Sequence, residues 1–459
     1  MKFDLLHASE RVNSGESVIR DSGLDCFYNI CPDDEKTRKF LEIVSAPLTE
    51  ACEIIYRQEI LRDFLDVPGL FERIAALSGQ AGEIRAALEK NRRERNSTTG
   101  SEAAQSQCRV CASLLKELLL VIKKLGKTEN VRSDGLSELI DRARELSGRA
   151  EYQALMKLCG RLEYRSAALP TDIRIKLDGR IESAELVEHR FSEPEPKQSL
   201  IGRLFGQKTV ERKIPAGVGV TPVGDVYERL GTIPFRELSS ELDNAAKQLL
   251  EPFDDLCAAL DFYEVAMRYH EFLESRGVGV VFPAFSEDER VTGLYDLKLL
   301  TGKAASEVIP RDIPRSGRII IRGANSSGKT VFLRSVAAAR LIAQAGLPIP
   351  AECAEMRIYR RIVMLCAGGS HEDGVGDFER EVARVAEIVN SELRGTLVLL
   401  NEVFQTTAFG DGAAALSGVL GYLWRAGADY MVTTHLELGD GLGAVMEFSA
   451  GYRAEVLGK

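Results

Sequence analysis

The residues best suited to chemistry lie between Gly323 and Thr330, where the chain reads Gly-Ala-Asn-Ser-Ser-Gly-Lys-Thr. A glycine at each end of such a loop, followed at once by lysine and a hydroxyl residue, is the pattern of a backbone that curls around phosphate. Gly323 and Gly328 allow the tight turn. The N–H groups of Asn325, Ser326 and Ser327, together with the N-terminus of the following helix, supply a positive nest. Lys329 is then placed to reach the β- and γ-phosphates of a nucleoside triphosphate, and the Thr330 hydroxyl to ligate magnesium, so ATP with Mg2+ is the expected cofactor pair. A chance match in a glycine-rich turn is the competing reading. An apolar strand before the motif and an amphipathic helix ending near Gly346 argue against it.

A second apolar run, Leu397–Leu400, ends in Asn401 and Glu402. A carboxylate just past such a strand can polarise an attacking water, which makes Glu402 the candidate general base. The preceding position ordinarily carries an aspartate that helps hold magnesium; Asn401 offers an oxygen without charge, so metal affinity or turnover is expected to be reduced. A third apolar run, Tyr430–Thr433, continues into Thr434 and His435, where an imidazole can sense a γ-phosphate or simply close the strand end.

These runs alternate with helical stretches after Gly277, the grammar of an α/β domain with a mostly parallel sheet. Upstream, residues 34–165 carry apolar positions at helical spacing, interrupted at 91–107 by a polar run that reads as an exposed helix tip or loop. Residues 166–235 turn to alternating and Pro/Gly-rich sequence and predict a small β-containing insertion. From 236 to 277 the helical period returns over roughly 60 Å at 1.5 Å per residue, with Pro252 expected to kink or divide it. The predicted architecture is an α-helical core and lever region followed by an α/β P-loop NTPase domain: a core over 1–235, lever helices over 236–277 and the ATPase domain over 278–459.

The totals narrow the partners. With 69 acidic and 59 basic side chains the formal net charge is −10, so nucleic-acid binding would have to be local rather than carried by overall charge. Basic residues gather at Arg92, Arg93 and Arg95, at Lys123, Lys124 and Lys127, and at Lys197, Arg203, Lys208, Arg212 and Lys213. Such runs can also be plain solvated faces. Nine cysteines at irregular spacing read as reduced thiols. The pair Cys108 and Cys111 reads as buried helix thiols before it reads as a metal site. The first residues hold no apolar signal core and no stretch is long enough to span a membrane, which predicts a cytoplasmic protein without membrane contact.

The loop motif with Asn325, then Phe332-Leu333-Arg334, Ala343-Gln344-Ala345-Gly346, Pro350-Ala351, Leu399-Leu400-Asn401-Glu402, Asp411-Gly412 and Thr434-His435, resembles the ATPase domain of the MutS mismatch-repair family. Ile55-Tyr56-Arg57-Gln58-Glu59 is more weakly similar to the family's core-domain helix. The resemblance implies an ATPase with composite sites between two protomers, hence a homodimer joined through the ATPase domains, and lever helices leading to DNA, duplex or branched. It also implies a signature loop reaching the partner's nucleotide. Aligned on Phe378 and Glu381, that loop places Gly376 where the family has a serine, leaving only a backbone donor. The family's adenine-packing residue falls at Val308 or Ile309, although an aliphatic pair also suits plain core. The short chain predicts no mismatch-reading domain and no nuclease-like tail.

Two readings follow. One is a MutS-type, DNA-binding ATPase in repair or recombination that does not read mismatches itself. The other is an ATP-switched protein scaffold with weak or absent hydrolysis and no DNA binding. A transporter-type ATPase is disfavoured by order, because its signature must precede the second strand motif whereas Leu416-Ser417-Gly418 follows it.

Overall fold

The computed structural model describes residues 4–6, 16–97, 100–164, 171–175, 181–186, 223–366, 377–405, 407–448 and 455–457. Helices α1 (Glu16–Asp21), α2 (Phe27–Ile30), α3 (Asp34–Val44) and α4 (Ala51–Asp66) open the chain. Next come α5 (Leu70–Ser97), α6 (Ser101–Leu125), α7 (Asp134–Gly148) and α8 (Ala150–Tyr164), then strands β1 (Thr171–Ile175) and β2 (Ile181–Leu186), which pair antiparallel. The long helix α9 runs from Val223 to Arg276 without a break. Pro252 therefore does not divide it: its ring removes one N–H from the ladder, and apolar side chains buried on both sides, from Leu249 and Leu250 to Phe253 and Leu256, hold the helix together.

Cα packing separates two compact units, Met1–Leu5 with Val67–Ala259, and Leu6–Asp66 with Leu260–Lys459. The first is helical. Its α5 and α6 pack side by side, and α6 buries Leu115, Leu118, Leu119, Ile122 and Leu125 at helical spacing. The polar run at 91–107 falls on the end of α5 and the start of α6, the helix-tip alternative of the two, with residues 98 and 99 outside the described residues. Asn91 is buried and donates through Nδ2 to Gln107 O at 3.2 Å, while Arg92 and Arg95 reach the buried Asp243 carboxylate at 2.8 and 3.4 Å. A polar run can stay helical where its charges find an opposite charge on the facing helix. Cys108 and Cys111 are both buried, and burial pushes their thiols up to about 11 and about 12.

The second unit is built on a mostly parallel sheet, preceded by the short β3 (Val280–Val281), β4 (Ala284–Phe285), β5 (Arg290–Leu294), α10 (Leu297–Gly302) and β6 (Arg311–Ile313) and interrupted by β8 (Ile349–Pro350) and β9 (Cys353–Met356). Strands β7 (Arg318–Gly323), β10 (Arg361–Cys366), β11 (Thr396–Asn401), β12 (Asp429–Thr433) and β13 (Ala444–Phe448) run parallel, and β14 (Glu455–Leu457) adds antiparallel at one edge, in the order β10-β11-β12-β7-β13-β14. Both faces are covered, which is why the strands read as apolar runs. Ile320, Val398, Leu400, Tyr430 and Val432 share one core with Val385 and Ile388 of α12 (Asp377–Val389) and with Leu416, Leu420 and Leu423 of α13 (Phe409–Arg425). The alternate set, Ile319, Ile321, Leu397, Leu399 and Met431, is buried with α11 (Lys329–Gln344) packed along the strands.

The N-terminal helices belong to this unit through a few buried polar ties. Arg57 of α4, fully buried, donates to Leu6 O at 2.8 and 2.7 Å and to Ala345 O at 3.3 Å, and its guanidinium lies 5.6 Å from the Phe262 ring centroid. Gln58 donates to Pro283 O at 3.0 Å. Gly346, at φ 90°, closes α11 so tightly that an added Cβ would stand 2.5 Å from that of Arg57. No helix among the described residues is long and apolar enough to cross a membrane.

Arg57→Ala leaves two carbonyls without their charged donor and empties a packed site. We expect it to cost about 3 kcal/mol, read as a lower midpoint in urea unfolding, whereas substitution of the exposed neighbour Ile55 leaves the midpoint within experimental error.

Candidate functional site

The carboxyl ends of β7, β11 and β12 lie side by side, and the candidate residues of the sequence sit on them. After β7 the chain turns through Gly323 at φ 145°, where a Cβ would stand 2.3 Å from Phe448 O on β13, so only glycine allows the two strands to lie this close. Ser326 (φ 63°) and Gly328 (φ 96°) are also left-handed, and α11 starts directly from Gly328 without a side-chain cap. Its first N–H groups are therefore left to whatever the loop encloses. Ala324, Asn325 and Ser326 form the exposed tip. Ser327 is buried with a hydroxyl that finds no hydrogen-bond partner.

Lys329 lies inside this curl, 4% exposed. Its ammonium donates to Gly323 O at 2.9 Å and Ala324 O at 3.0 Å. It also stands 3.2 Å from His435 Nε2 and 3.8 Å from Glu402 Oε1. An ammonium can only donate, so Nε2 accepts in that contact. Glu402 Oε1 is 3.4 Å from the same Nε2, which makes Lys329, His435 and Glu402 one cluster from three separate elements.

Beside it, Asn401 at the end of β11 is buried, and its Oδ1 accepts the hydroxyls of Thr330 and Thr433, each at 2.9 Å. Thr433 closes the relay by accepting the Glu402 N–H, at 3.0 Å on its carbonyl and 3.2 Å on Oγ1. The next strand end is set by Thr434, whose N–H donates to Ile321 O at 3.2 Å and whose hydroxyl accepts from Leu436 N at 3.0 Å. Gly323, Asn325, Ser326, Ser327, Gly328, Lys329, Thr330, Asn401, Glu402 and His435 thus occupy one end of one sheet. Gly376 lies outside the described residues. Of the two residues considered for packing a base, Val308 is buried and Ile309 is half exposed.

Two models of protein families match the chain: one described as MutS domain V over residues 319–446, the other as MutS2 N-terminal domain over residues 49–276. Between them they cover most of the chain. It belongs to the MutS family. Among its relatives are the proteins named endonuclease MutS2 from Shouchella clausii, 29% identical over 208 residues, and from Aquifex aeolicus, 28% over 205. The DNA mismatch repair protein MutS of Thermus aquaticus is 30% identical over 223 residues. These matches take in 44–46% of this chain and 25–26% of each relative, so the chain spans about a quarter of the length of the curated relatives it matches.

Sequence reasoning missed Arg311 and Phe448. Arg311 is buried, its guanidinium 4.4 Å from the Phe448 ring centroid and its Nη2 3.5 Å from Ser327 O, and burial lowers its pKa. Neither lies in a motif. A lone arginine two residues past an aliphatic pair carries no sequence signal of what it packs behind.

The two loop glycines differ in cause, and substitution separates them. Gly323→Ala meets strand β13 and is expected to cost about 2 kcal/mol or to displace that strand, whereas Gly328→Ala, with nothing closer than Arg311 Nη2 at 3.7 Å, is expected to cost about 1 kcal/mol for backbone conformation alone. Thermal unfolding of the two variants checks the order.

Proposed function

We propose that this chain is a MutS-type ATPase that binds ATP in the 323–330 loop and uses nucleotide-dependent homodimerisation of the 278–459 region to control DNA binding in repair or recombination, with no mismatch reading of its own. The observation that carries the reading is the convergence of Lys329, Thr330, Asn401, Glu402 and His435 on adjacent parallel strand ends, the position where open α/β sheets bind ligands.

The roles follow from the geometry. The loop N–H groups and the uncapped start of α11 hold the phosphates, with the unpartnered Ser327 hydroxyl available as a further donor. Lys329 exchanges its two backbone carbonyls for phosphate oxygens, a stronger charge-assisted contact. Glu402 takes the proton of the attacking water, and His435, in contact with both Lys329 and Glu402, registers the γ-phosphate. Hard oxygen donors suit Mg2+, which would be held by the Thr330 hydroxyl, with Asn401 alongside and phosphate oxygens completing the shell. Bound there, it would neutralise charge developing on the transferred phosphoryl group.

Asn401 also favours a second reading. Its neutral amide already accepts two internal hydroxyls, and it brings no charge to the metal, which suits an ATP-switched scaffold that hydrolyses weakly and binds protein rather than DNA. Steady-state hydrolysis with and without duplex, mismatched and branched DNA at fixed salt separates the two: DNA-stimulated turnover supports the first, and nucleotide-dependent dimerisation without turnover or DNA response supports the second.

Lys329→Ala is expected to abolish tight binding of a fluorescent ATP analogue; retained affinity would place the triphosphate elsewhere. Glu402→Gln is expected to bind ATP as the parent does and to lose turnover by about a hundredfold or more, measured under single-turnover conditions.

A further inference from the structure

Two non-glycine residues just past β11 have left-handed backbone, Glu402 at φ 54° and Phe404 at φ 63°. Such a pair of conformations persists only where the surroundings hold it. From one side Thr433 binds the Glu402 N–H. From the other, the buried Glu381 of α12 accepts the Phe404 N–H on Oε2 at 2.8 Å. Phe378, one turn earlier on the same helix, packs its ring 5.9 Å from that of Phe404. Val403 and Phe404, between and beside these bonds, are fully buried in the sheet core. The same helix touches the neighbouring strand end, where Arg384 Nη1 donates to Cys366 O at 3.4 Å. The Glu381 carboxylate acts on the backbone that carries Glu402.

We propose that Glu381 is a positioning residue for Glu402: by accepting the Phe404 N–H it locks the 402–404 turn in the one conformation that presents the Glu402 carboxylate to Lys329 and His435. A charge-assisted bond to a backbone N–H inside an apolar core is strong and directional. Its loss frees the turn to relax to ordinary right-handed or extended backbone, moving the Glu402 carboxylate by more than the tolerance of a water-activating base. Helix α12 therefore sets the aim of the base as well as covering the sheet, and anything that shifts α12 shifts turnover. The inference rests on the role proposed above for Glu402.

The test compares Glu381→Ala, Glu381→Gln and the parent. Glu381→Ala is expected to lower kcat by about a hundredfold with ATP affinity within about twofold of the parent, because misplacement of a catalytic group by an ångström has effects of that size. Glu381→Gln keeps an acceptor oxygen for Phe404 N–H and is expected to restore kcat to within about tenfold. Parental kcat in Glu381→Ala, or an equal fall in kcat and ATP affinity, overturns the proposal. The turn is also read without turnover, by hydrogen exchange of the Phe404 amide, expected to be faster in Glu381→Ala than in the parent or Glu381→Gln. Unchanged exchange overturns the proposal even if the parent does not hydrolyse ATP, while changed exchange in an inactive parent removes only the role of Glu402 as base.

Discussion

The second unit is organised around one buried ammonium. Lys329 has almost no contact with solvent, so its charge must be met by polar groups drawn from the surrounding chain. Two are carbonyls of the loop that precedes it, one is the imidazole of His435 and one is the more distant carboxylate of Glu402. Meeting that charge brings the ends of β7, β11 and β12 into register. The loop glycines, the abrupt start of α11 and the left-handed turn at Glu402 are the backbone conditions for it.

The strand ends can converge because the sheet is parallel and covered on both faces. Running parallel, β10, β11, β12, β7 and β13 have their carboxyl ends on one edge of the sheet, with helices covering its faces. The hydroxyls of the exposed Thr330, at the start of α11, and of the buried Thr433 both donate to the buried Asn401, a short relay that ties the loop to two strands without a single charge. A carboxylate at this position would accept the same hydroxyls and add a negative charge beside Lys329 and Glu402. The amide removes that charge from the region where the proposed Mg2+ and phosphates meet, which is the physical basis for expecting weaker metal affinity.

The helical segment before residue 66 is part of the same assembly. Arg57 and Gln58 place donors on carbonyls of chain far away in sequence, and Gly346 leaves room for Arg57 alone. The weak likeness of residues 55–59 to a family helix thus falls on residues whose side chains hold α4 against the end of α11. The two family matches, one over the helical part and one over the sheet, fit a chain in which both parts are present.

The sequence by itself determined the loop, the three strand ends and the parallel α/β order, because each is encoded locally: glycines at the positions that need left-handed or crowded backbone, apolar runs where a strand is buried on both faces, and polar residues where a strand leaves the core. It also indicated the helices of the first unit through their spacing. Only the tertiary structure decided what depends on distant partners. Arg92 and Arg95 read as a basic patch on a helix tip or loop until Asp243 is seen opposite them. Pro252 reads as a break until the apolar residues buried on either side are seen to carry the helix through it. Arg311 and Phe448 join behind the loop, and Glu381 meets Phe404, across gaps in sequence that no period or motif spans. A local pattern records the conformation a segment prefers, but a buried charge takes its meaning from the group that neutralises it, and that group is chosen by the fold.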